Sequence, residues 1–530
     1  MTLRVHGDAF LGAPGVYMTA AKWWLLRKRV RARSQFAPLL GRSPRAFELW
    51  AMREEKWPEP LASAPAERLI ALIAARGDEA ALTTTLASLA AAGVEAIVLG
   101  PKPHDALRRL ADGLDGGGSL WFMPILPGDV LAAAAGARYQ ARIMDAASSC
   151  TVIFADDDTI DERMRRTAPH FKADWNGELF AHHDFLTGAC IVRADGAAIR
   201  QASQDPHWDR SLIAAATQKG TVEHIHAVLH HRVSRPPLRA QAEPLRVAER
   251  LPSVSVVIPT RNRADLLRTC IAGLRATQYP DLEIIIANND SDDSETLAYL
   301  DTLADEGVRV LDQPGPFNYS TINNNAVAEV KGELICLLNN DVEVLAPDWL
   351  AMMATQALRP EVGAVGAQLL YPDGRIQHAG VVIGVGNAAG HAHRFLRPEA
   401  EGYFRRHALP QFVSAVTGAC LVVRKDKFLA VGGLDAKNFA VAFNDVDLCL
   451  RLNQRGWQSF YEPRAVLVHH ESVSRGLDTD PVGAARFARE LAALQRIWRT
   501  DEITDPFHHP MLSRASEQFA LDLTSTMVGA

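Results

Sequence analysis

The chain has 530 residues, 48% apolar and 22% charged, enough for two or three domains with their own cores and ordinary for globular protein. A formal charge of -6 argues against a nucleic-acid binder held by a general basic surface. No apolar run is long enough to cross a bilayer, and the N-terminus lacks a signal-peptide pattern, so the sequence reads as cytoplasmic. The cysteines, at 150, 190, 270, 336, 420 and 449, form no CxxC pair or metal-ligand spacing and read as buried thiols.

Within residues 1–60, Lys22–Phe36 reads KWWLLRKRVRARSQF and is predicted as one basic amphipathic helix. Trp23, Leu26 and Val30 share a face, while Arg27, Arg29, Arg31 and Arg33 spread around the rest. Such a helix suits peripheral contact with the inner face of the cytoplasmic membrane, or docking on the protein's own acidic surface.

Beyond this extension the chain repeats itself. ALIAARGDEAAL (71–82) pairs with VVIPTRNRADLL (256–267), and ILPGDV (125–130) with LLNNDV (337–342). TGAC occurs at Thr187–Cys190 and again at Thr417–Cys420, and AVLHH ending at His231 pairs with AVLVHH ending at His470. The offsets rise steadily along the chain, as two copies of one fold would show if the second held small insertions. The copies are predicted at 61–235 and 253–480, with an Arg- and Pro-rich linker at 236–252 and a helical tail at 481–530. In the second copy VSVVIP, LEIIIA, ELICLL and VGAVGAQLL alternate with helical stretches near 264–276 and 347–358. That alternation predicts an α/β fold with a mostly parallel, Rossmann-like sheet, whose ligands bind at the carboxyl ends of the strands.

Three polar clusters sit at such ends. ELICLL runs into Asn339-Asn340-Asp341, whose oxygens suit Mg²⁺ or Mn²⁺ when phosphates supply the remaining ligands. An isolated NND would otherwise be an Asx turn. FNDVDLCLRLNQRGW (443–457) places Asp445 and Asp447 at the start of a helix. Capping explains one of these acids and leaves the other able to take a proton from a hydroxyl. VLVHHESVSRG (466–476) brings His469 and His470 to a strand end before a Ser/Arg/Gly loop, where an imidazole can ligate a metal and the loop can donate to phosphate.

VSVVIPTRNR, LEIIIANNDSDD, PGPFNYSTINNNA, LLNNDVEV, VTGACLVV, FNDVDLCLRL and HHESVSRG follow in this order over residues 251–476. The series resembles family 2 glycosyltransferases of the GT-A fold, particularly bacterial enzymes that build rhamnose-containing and other surface polysaccharides, O-antigen among them. The first copy resembles the family through FADDDTIDERMRRTAPHFKADWN (154–176), so two tandem GT-A-like domains are implied. By this resemblance Pro259, Thr260 and Arg261 cradle the base and ribose, with Asn288 where the family usually has Asp. Asn324 and Asn325 lie against the nucleotide, and Asn340 and Arg475 lie near it and its phosphates. Asp341 forms the metal site with His469 or His470, Asn339 standing in place of the first acid of the Asp-x-Asp motif. Asp445 is the implied general base, and Asp447, Thr417 and Gly418 are secondary or acceptor-side positions. The implied reaction moves a hexose or deoxyhexose, with inversion, from a dTDP-, UDP- or GDP-sugar to a saccharide or polyprenyl-linked saccharide.

The first copy keeps less of the pattern. Asp129 stands opposite Asp341, but Pro127 and Gly128 replace the amides. Asp209 and Ser211 fall opposite Asp445 and Asp447, Gly77 stands for Asn262, and PGPFNYSTINNN has no counterpart. Asp156–Asp158 falls opposite LLYPDG (369–374) and is read as a loop, away from the predicted metal site. The first copy is therefore expected to be a scaffold or acceptor-binding module, a second active site being the alternative because Asp129, Asp209, His230 and His231 persist. The rival to an enzyme is an inert binding or assembly protein. Nucleotidyl transfer is disfavoured, since no G-x-G-x-x-G or P-loop marks the strand-helix turns.

Overall fold

The computed structural model describes residues 1–54, 67–75, 77–114, 118–470 and 481–523. The chain divides into an N-terminal unit (Met1–Pro237, His508–Ser513 and Leu521–Ala530) and a C-terminal unit (Leu238–Phe507 and Arg514–Ala520).

Helices Thr2–Gly12, Pro14–Leu25, Arg29–Gly41 and Ala46–Glu54 open the N-terminal unit. The single basic helix expected over Lys22–Phe36 is broken in two at Leu26–Lys28, where Arg27 takes a φ of 58°. The break lets Arg29 sit 3.8 Å over Trp24 and Arg31 5.2 Å over Trp23, cation-π contacts that one straight helix would not bring together. The turn leaves Leu25, Leu26 and Val30 exposed by 81%, 55% and 71%.

The strands of this unit are β1 (Leu69–Ile73), β2 (Glu95–Val98), β3 (Leu120–Ile125), β4 (Val130–Leu131), β5 (Cys150–Ile160), β6 (Arg166–His170), β7 (Cys190–Ala194) and β8 (Thr221–Arg232). They lie in the order β2-β1-β3-β7-β5-β8-β4, with β6 beside β5. Asp156–Asp158 is thus part of a strand and not a loop. Its three carboxylates are fully buried, which is tolerable because each meets basic groups. Asp157 pairs with Lys172 Nζ at 2.8 Å and with Arg235, and Asp158 with Arg166 and with His231 Nδ1 at 2.8 Å. Asp156 meets His224 and His509. These partners are distant in sequence, and a local pattern does not show them.

In the C-terminal unit the strands are β9 (Val254–Thr260), β10 (Leu282–Asn288), β11 (Arg309–Asp312), β12 (Leu334–Leu338), β13 (Val342–Val344), β14 (Val362–Leu370), β15 (Ile376–His378), β16 (Val381–Ile383), β17 (Ala389–His391), β18 (Gln411–Val413), β19 (Cys420–Arg424) and β20 (Gln458–His469). The main sheet runs β11-β10-β9-β12-β19-β14-β20-β13, with β15 beside β14 and β18 beside β20, and β16–β17 form a separate pair. Without β11, this is the strand order of the N-terminal sheet. Corresponding neighbours also share their sense: β9–β10, β9–β12 and β14–β20 are parallel, as are β1–β2, β1–β3 and β5–β8. β19 runs against β12 and β14 just as β7 runs against β3 and β5. Both sheets are therefore mixed, a parallel set interrupted by one reversed strand and edged by another, β4 against β8 and β13 against β20.

Alternation along β9 explains the layers. Val254, Val256 and Ile258 pack on Leu267, Ile271 and Leu274 of helix Ala264–Ala276. Val257, on the other face, belongs with Ile322 and Ala326 of helix Tyr319–Ala328 and with Val446, Leu448 and Leu452 of helix Asn444–Gln454. A strand buried on both faces reads as a continuous apolar run, as VSVVIP does. Among the described residues, helix Pro481–Trp498 is the last, and the helical tail expected to 530 is not helical over 499–523. All six cysteines are buried and free.

The ladders also shift one sequence pairing. Val130 lies opposite His231 and Val342 opposite His469, so His231 corresponds to His469 and not to His470. One residue along a strand exchanges its faces.

Candidate active site

The carboxyl ends of β9, β12 and β20 open on a cleft of about 680 Å³ in the C-terminal unit. It is lined by Pro259, Thr260 and Arg261 after β9, by Asn339, Asn340 and Asp341 after β12, and by Thr417, Gly418, Asp445 and His469. The turn after β9 is held in the left-handed region at Asn262 and Arg263, with φ of 56° and 63°. Asn262 secures it: its Oδ1 accepts from the backbone N–H groups of Asp292 and Asp293 at 3.0 and 3.1 Å, which ties the β9 loop to the β10 loop. Asn340 Nδ2 donates to Thr260 Oγ1 at 3.0 Å, joining the ends of β12 and β9.

His469 Nε2 lies 3.1 Å from Asp341 Oδ1 and 3.3 Å from the Asn339 side-chain amide. Its other nitrogen, Nδ1, lies 2.7 Å from Gln377 Oε1. A carbonyl oxygen there requires a proton on Nδ1, so the neutral ring turns the lone pair of Nε2 toward the Asp341 carboxylate. Two acceptor atoms facing each other at this distance suit a shared cation, with Gln377 fixing the ring from behind. His470 faces elsewhere, its Nε2 3.0 Å from Glu343 Oε2, and does not line the cleft.

Asp445 enters on the first turn of helix Asn444–Gln454, after Phe443 at φ 62°. Its Oδ2 accepts from Gly418 N and its Oδ1 from Val446 N, both at 2.8 Å. A carboxylate oxygen has a second lone pair, so the group is anchored and still able to accept a proton. Tyr319 OH donates to Gly418 O at 2.9 Å and fixes the same corner. Asp447 does not reach the cleft. It is buried, paired with Arg451 Nη2 at 2.7 Å and with Trp498 Nε1 at 3.0 Å, and burial raises its pKa above the ordinary carboxylate value. Nearby His378 is held neutral, its pKa pushed down to about 3 by burial and by His391; its Nδ1 donates to Ala367 O and its Nε2 accepts from Thr417 N.

Three nucleotide assignments change. Asn288 is occupied beneath the cleft, donating to Asp312 Oδ1 at 3.1 Å and accepting from Ser291 N at 3.2 Å. The residue that lines the cleft is its neighbour Asn289. Asn289 Nδ2 donates to Gln313 O and Gly315 O at 2.7 and 3.0 Å, while its buried Oδ1 has no hydrogen-bond donor among the described residues. Asn324 makes a reciprocal pair with the Leu434 backbone, and Asn325 donates to Gln313 Oε1; neither lines the cleft. Arg475 lies outside the described residues.

Sequence reading also missed Glu490. From helix Pro481–Trp498 its two oxygens accept from Val441 N and Ala442 N, each at 3.0 Å, bracing the segment that leads to Asp445. No local motif marks such a residue, because its role exists only once the C-terminal helix has packed.

The N-terminal unit does not reproduce this arrangement. His231 turns to Asp158, and Asp129 Oδ1 accepts from Val233 N at 2.9 Å, so the counterparts of Asp341 and His469 have other partners. A Cβ built on Gly418 would meet Asp445 Cβ at 3.4 Å, whereas one on Gly188 would meet the Arg232 guanidinium at 2.5 Å. Arginine stands where the other unit presents its carboxylate.

Residues 255–431 match the family described as "Glycosyl transferase family 2". The chain is 38% identical over 427 residues to the uncharacterized protein y4gI of Sinorhizobium fredii, an alignment covering 72% of this chain and 47% of that one. It is 33% identical over 404 residues to the O-antigen biosynthesis protein RfbC of Myxococcus xanthus, covering 68% and 31%. An N-acetylglucosaminyl-diphospho-decaprenol L-rhamnosyltransferase of Mycobacterium tuberculosis is 28% identical over 243 residues, covering 42% and 78%. The chain spans less than half the length of the first two relatives. Among solved structures, a mannosyltransferase from Pyrobaculum calidifontis in complex with GDP-Man and Mn²⁺ superposes with a TM-score of 0.36 at 18% identity, covering 51% and 71%. The C-terminal unit, with its cleft at the strand ends, carries a glycosyl transferase family 2 domain.

Proposed function

We propose that the C-terminal unit transfers a sugar, with inversion at the anomeric carbon, from a nucleoside-diphosphate sugar to a hydroxyl of a saccharide or lipid-linked saccharide. The observation that carries this reading is that one cleft holds both the anchored Asp445 carboxylate and the Asp341–His469 pair. Asp445 takes the proton of the acceptor hydroxyl as its oxygen attacks the anomeric carbon and the bond to the leaving diphosphate breaks. In such a single displacement no covalent sugar-enzyme intermediate forms. Arg261 also lines the cleft, and its guanidinium would offset charge developing on the diphosphate. Asp341 and His469, with the Asn339 amide beside them, would hold Mn²⁺ or Mg²⁺, which when bound stabilises the departing diphosphate.

Asn289 sharpens the donor. A buried carbonyl oxygen without a donor fits a base that presents a ring N–H, as uracil, thymine and guanine do, over one that presents a ring acceptor, as cytosine and adenine do. The named rhamnosyltransferase relative supports a deoxyhexose donor and a polyprenyl-linked acceptor. For the N-terminal unit, the shared strand order supports a diverged second copy, and Arg232 at Gly188 supports a unit without transfer activity.

The test combines ligand shifts and turnover. With Mn²⁺ present, UDP, dTDP or GDP raises the melting temperature more than CDP or ADP does, and Asp445→Asn lowers transfer at least 100-fold while leaving the nucleotide shift intact. The product's anomeric configuration, read by NMR, is opposite to the donor's. No shift with any nucleotide, or full activity in Asp445→Asn, rejects the reading. Loss of transfer in Asp129→Asn would instead give the N-terminal unit a catalytic part.

A further inference from the structure

Away from the cleft, the N-terminal unit gathers three histidines and two aspartates. His224 and His226 are alternate residues of β8 and project to one face, Asp174 follows β6, and His509 belongs to the returning segment His508–Ser513. The His226 ring lies 4.3 Å from that of His224 and 5.0 Å from that of His509, centroid to centroid. One nitrogen from each ring lies within 4.8 Å of those of the other two. Asp174 Oδ1 sits between two rings, 3.1 Å from His224 Nδ1 and 2.8 Å from His226 Nε2. Behind them the fully buried Asp156 faces His224 Nε2 at 3.1 Å and His509 Nε2 at 2.8 Å, one on each oxygen.

Sugar transfer in the other unit uses none of these residues, and burying so many polar groups is costly unless something holds them. Their chemistry points to a ligand. Imidazoles with one carboxylate are the donor set of a borderline cation such as Zn²⁺, while Mg²⁺ and Ca²⁺ prefer oxygen alone. A carboxylate that takes the Nε2 proton of a histidine leaves Nδ1 as the ligating nitrogen, an arrangement metal-bound histidines use widely. Asp156 stands in that position toward two rings at once. His509 Nδ1 accepts from Met511 N at 3.0 Å, so it carries no proton.

We propose that His224, His226, His509 and Asp174 bind a divalent cation of the zinc class, with Asp156 orienting two of the imidazoles from behind. The ion replaces the Met511 N–H at His509 Nδ1. It reaches the site past the His226 and Asp174 side chains, which are 39% and 41% exposed. Its effect is to pin the segment around His509 to β8, joining parts of the unit far apart in sequence and thereby linking metal uptake to folding.

Metal content of the purified full chain tests this, in an Asp341→Ala background that removes the cleft's carboxylate ligand. After incubation with Zn²⁺ and removal of excess, Asp341→Ala retains one equivalent, and Co²⁺ in its place gives the intense visible absorption of a four-coordinate site. Adding His226→Ala, a change at a half-exposed position, weakens affinity by 10- to 100-fold. His226→Gln checks folding independently: Zn²⁺ raises the melting temperature of Asp341→Ala but not that of the double variant. No retained metal in Asp341→Ala, or equal affinity with and without His226, overturns the proposal. Transfer activity enters neither readout, so this result and that of the proposed transferase are separable.

Discussion

His469 turns Nε2 to Asp341, while its neighbour His470 faces Glu343 across β20. The two are indistinguishable in the sequence HHES, and only the strand's alternation separates them. His469→Ala should lower turnover at least 100-fold and weaken the dependence on Mn²⁺, while His470→Ala stays within about threefold, as initial rates across a Mn²⁺ titration will show. Asp129 offers a different test. Burial raises its pKa to about 6, so its folded-state value lies above that of the unfolded chain. The folded state therefore favours the protonated form, and stability falls as pH rises from about 4 to about 6, by roughly 2–3 kcal/mol in all. Asp129→Asn keeps the acceptor for Val233 N and removes the titration. It should melt higher than the parent at pH 7.5, the difference closing by about pH 4, as thermal melts across pH will measure. At this scale the motifs located segments better than side chains. Strand-end and helix-start chemistry is local, and Thr260, Asp341 and Asp445, which it points to, line the cleft. Asn288, Asn324 and Asn325 do not line it, because a motif does not state which way each amide points.

At the scale of elements, the apolar runs of β9, β12 and β14 announced themselves, since strands buried on both faces need no alternation. The charged run in β5 hid because its counter-charges come from β8 and from loops around it. The break at Leu26–Lys28 was equally hidden, since hydrophobic periodicity continues across a tight turn between two helices. Close packing gives a prediction here. A Cβ on Gly366, in β14, would stand 2.5 Å from Val416 Cβ and 3.2 Å from His378 Cε1. Gly366→Ala should cost about 1–3 kcal/mol in urea unfolding. It should also disturb Thr417, whose N–H is held by His378.

For the whole molecule, the α/β fold class could be read from the alternation of strands and helices, while the path of residues 508–513 could not, because nothing local marks His509 as a partner of β8. The helical turn near the N-terminus gives a prediction at this scale. Exposed Leu25, Leu26 and Val30 stand among Arg27, Lys28, Arg29 and Arg31, a combination suited to an anionic bilayer surface. The protein should co-sediment with phosphatidylglycerol vesicles and not with phosphatidylcholine alone, and Leu25→Ser with Val30→Ser should reduce binding about tenfold. Undiminished binding in that variant would place any membrane contact elsewhere.

The matching strand orders carry a hazard of their own. A chain that makes the same sheet twice offers each nascent strand two addresses, and repeated domains are prone to assembling across copies. β5 shows how such errors are discouraged. If it were inserted in place of β14, Asp156–Asp158 would enter a layer prepared for Gln368, Leu369 and Leu370, with Lys172, His224 and Arg235 left behind. Three carboxylates without counter-charges make that exchange prohibitive. The buried acids of β5 thus act as an address label, directing the strand to the one sheet that can neutralise it.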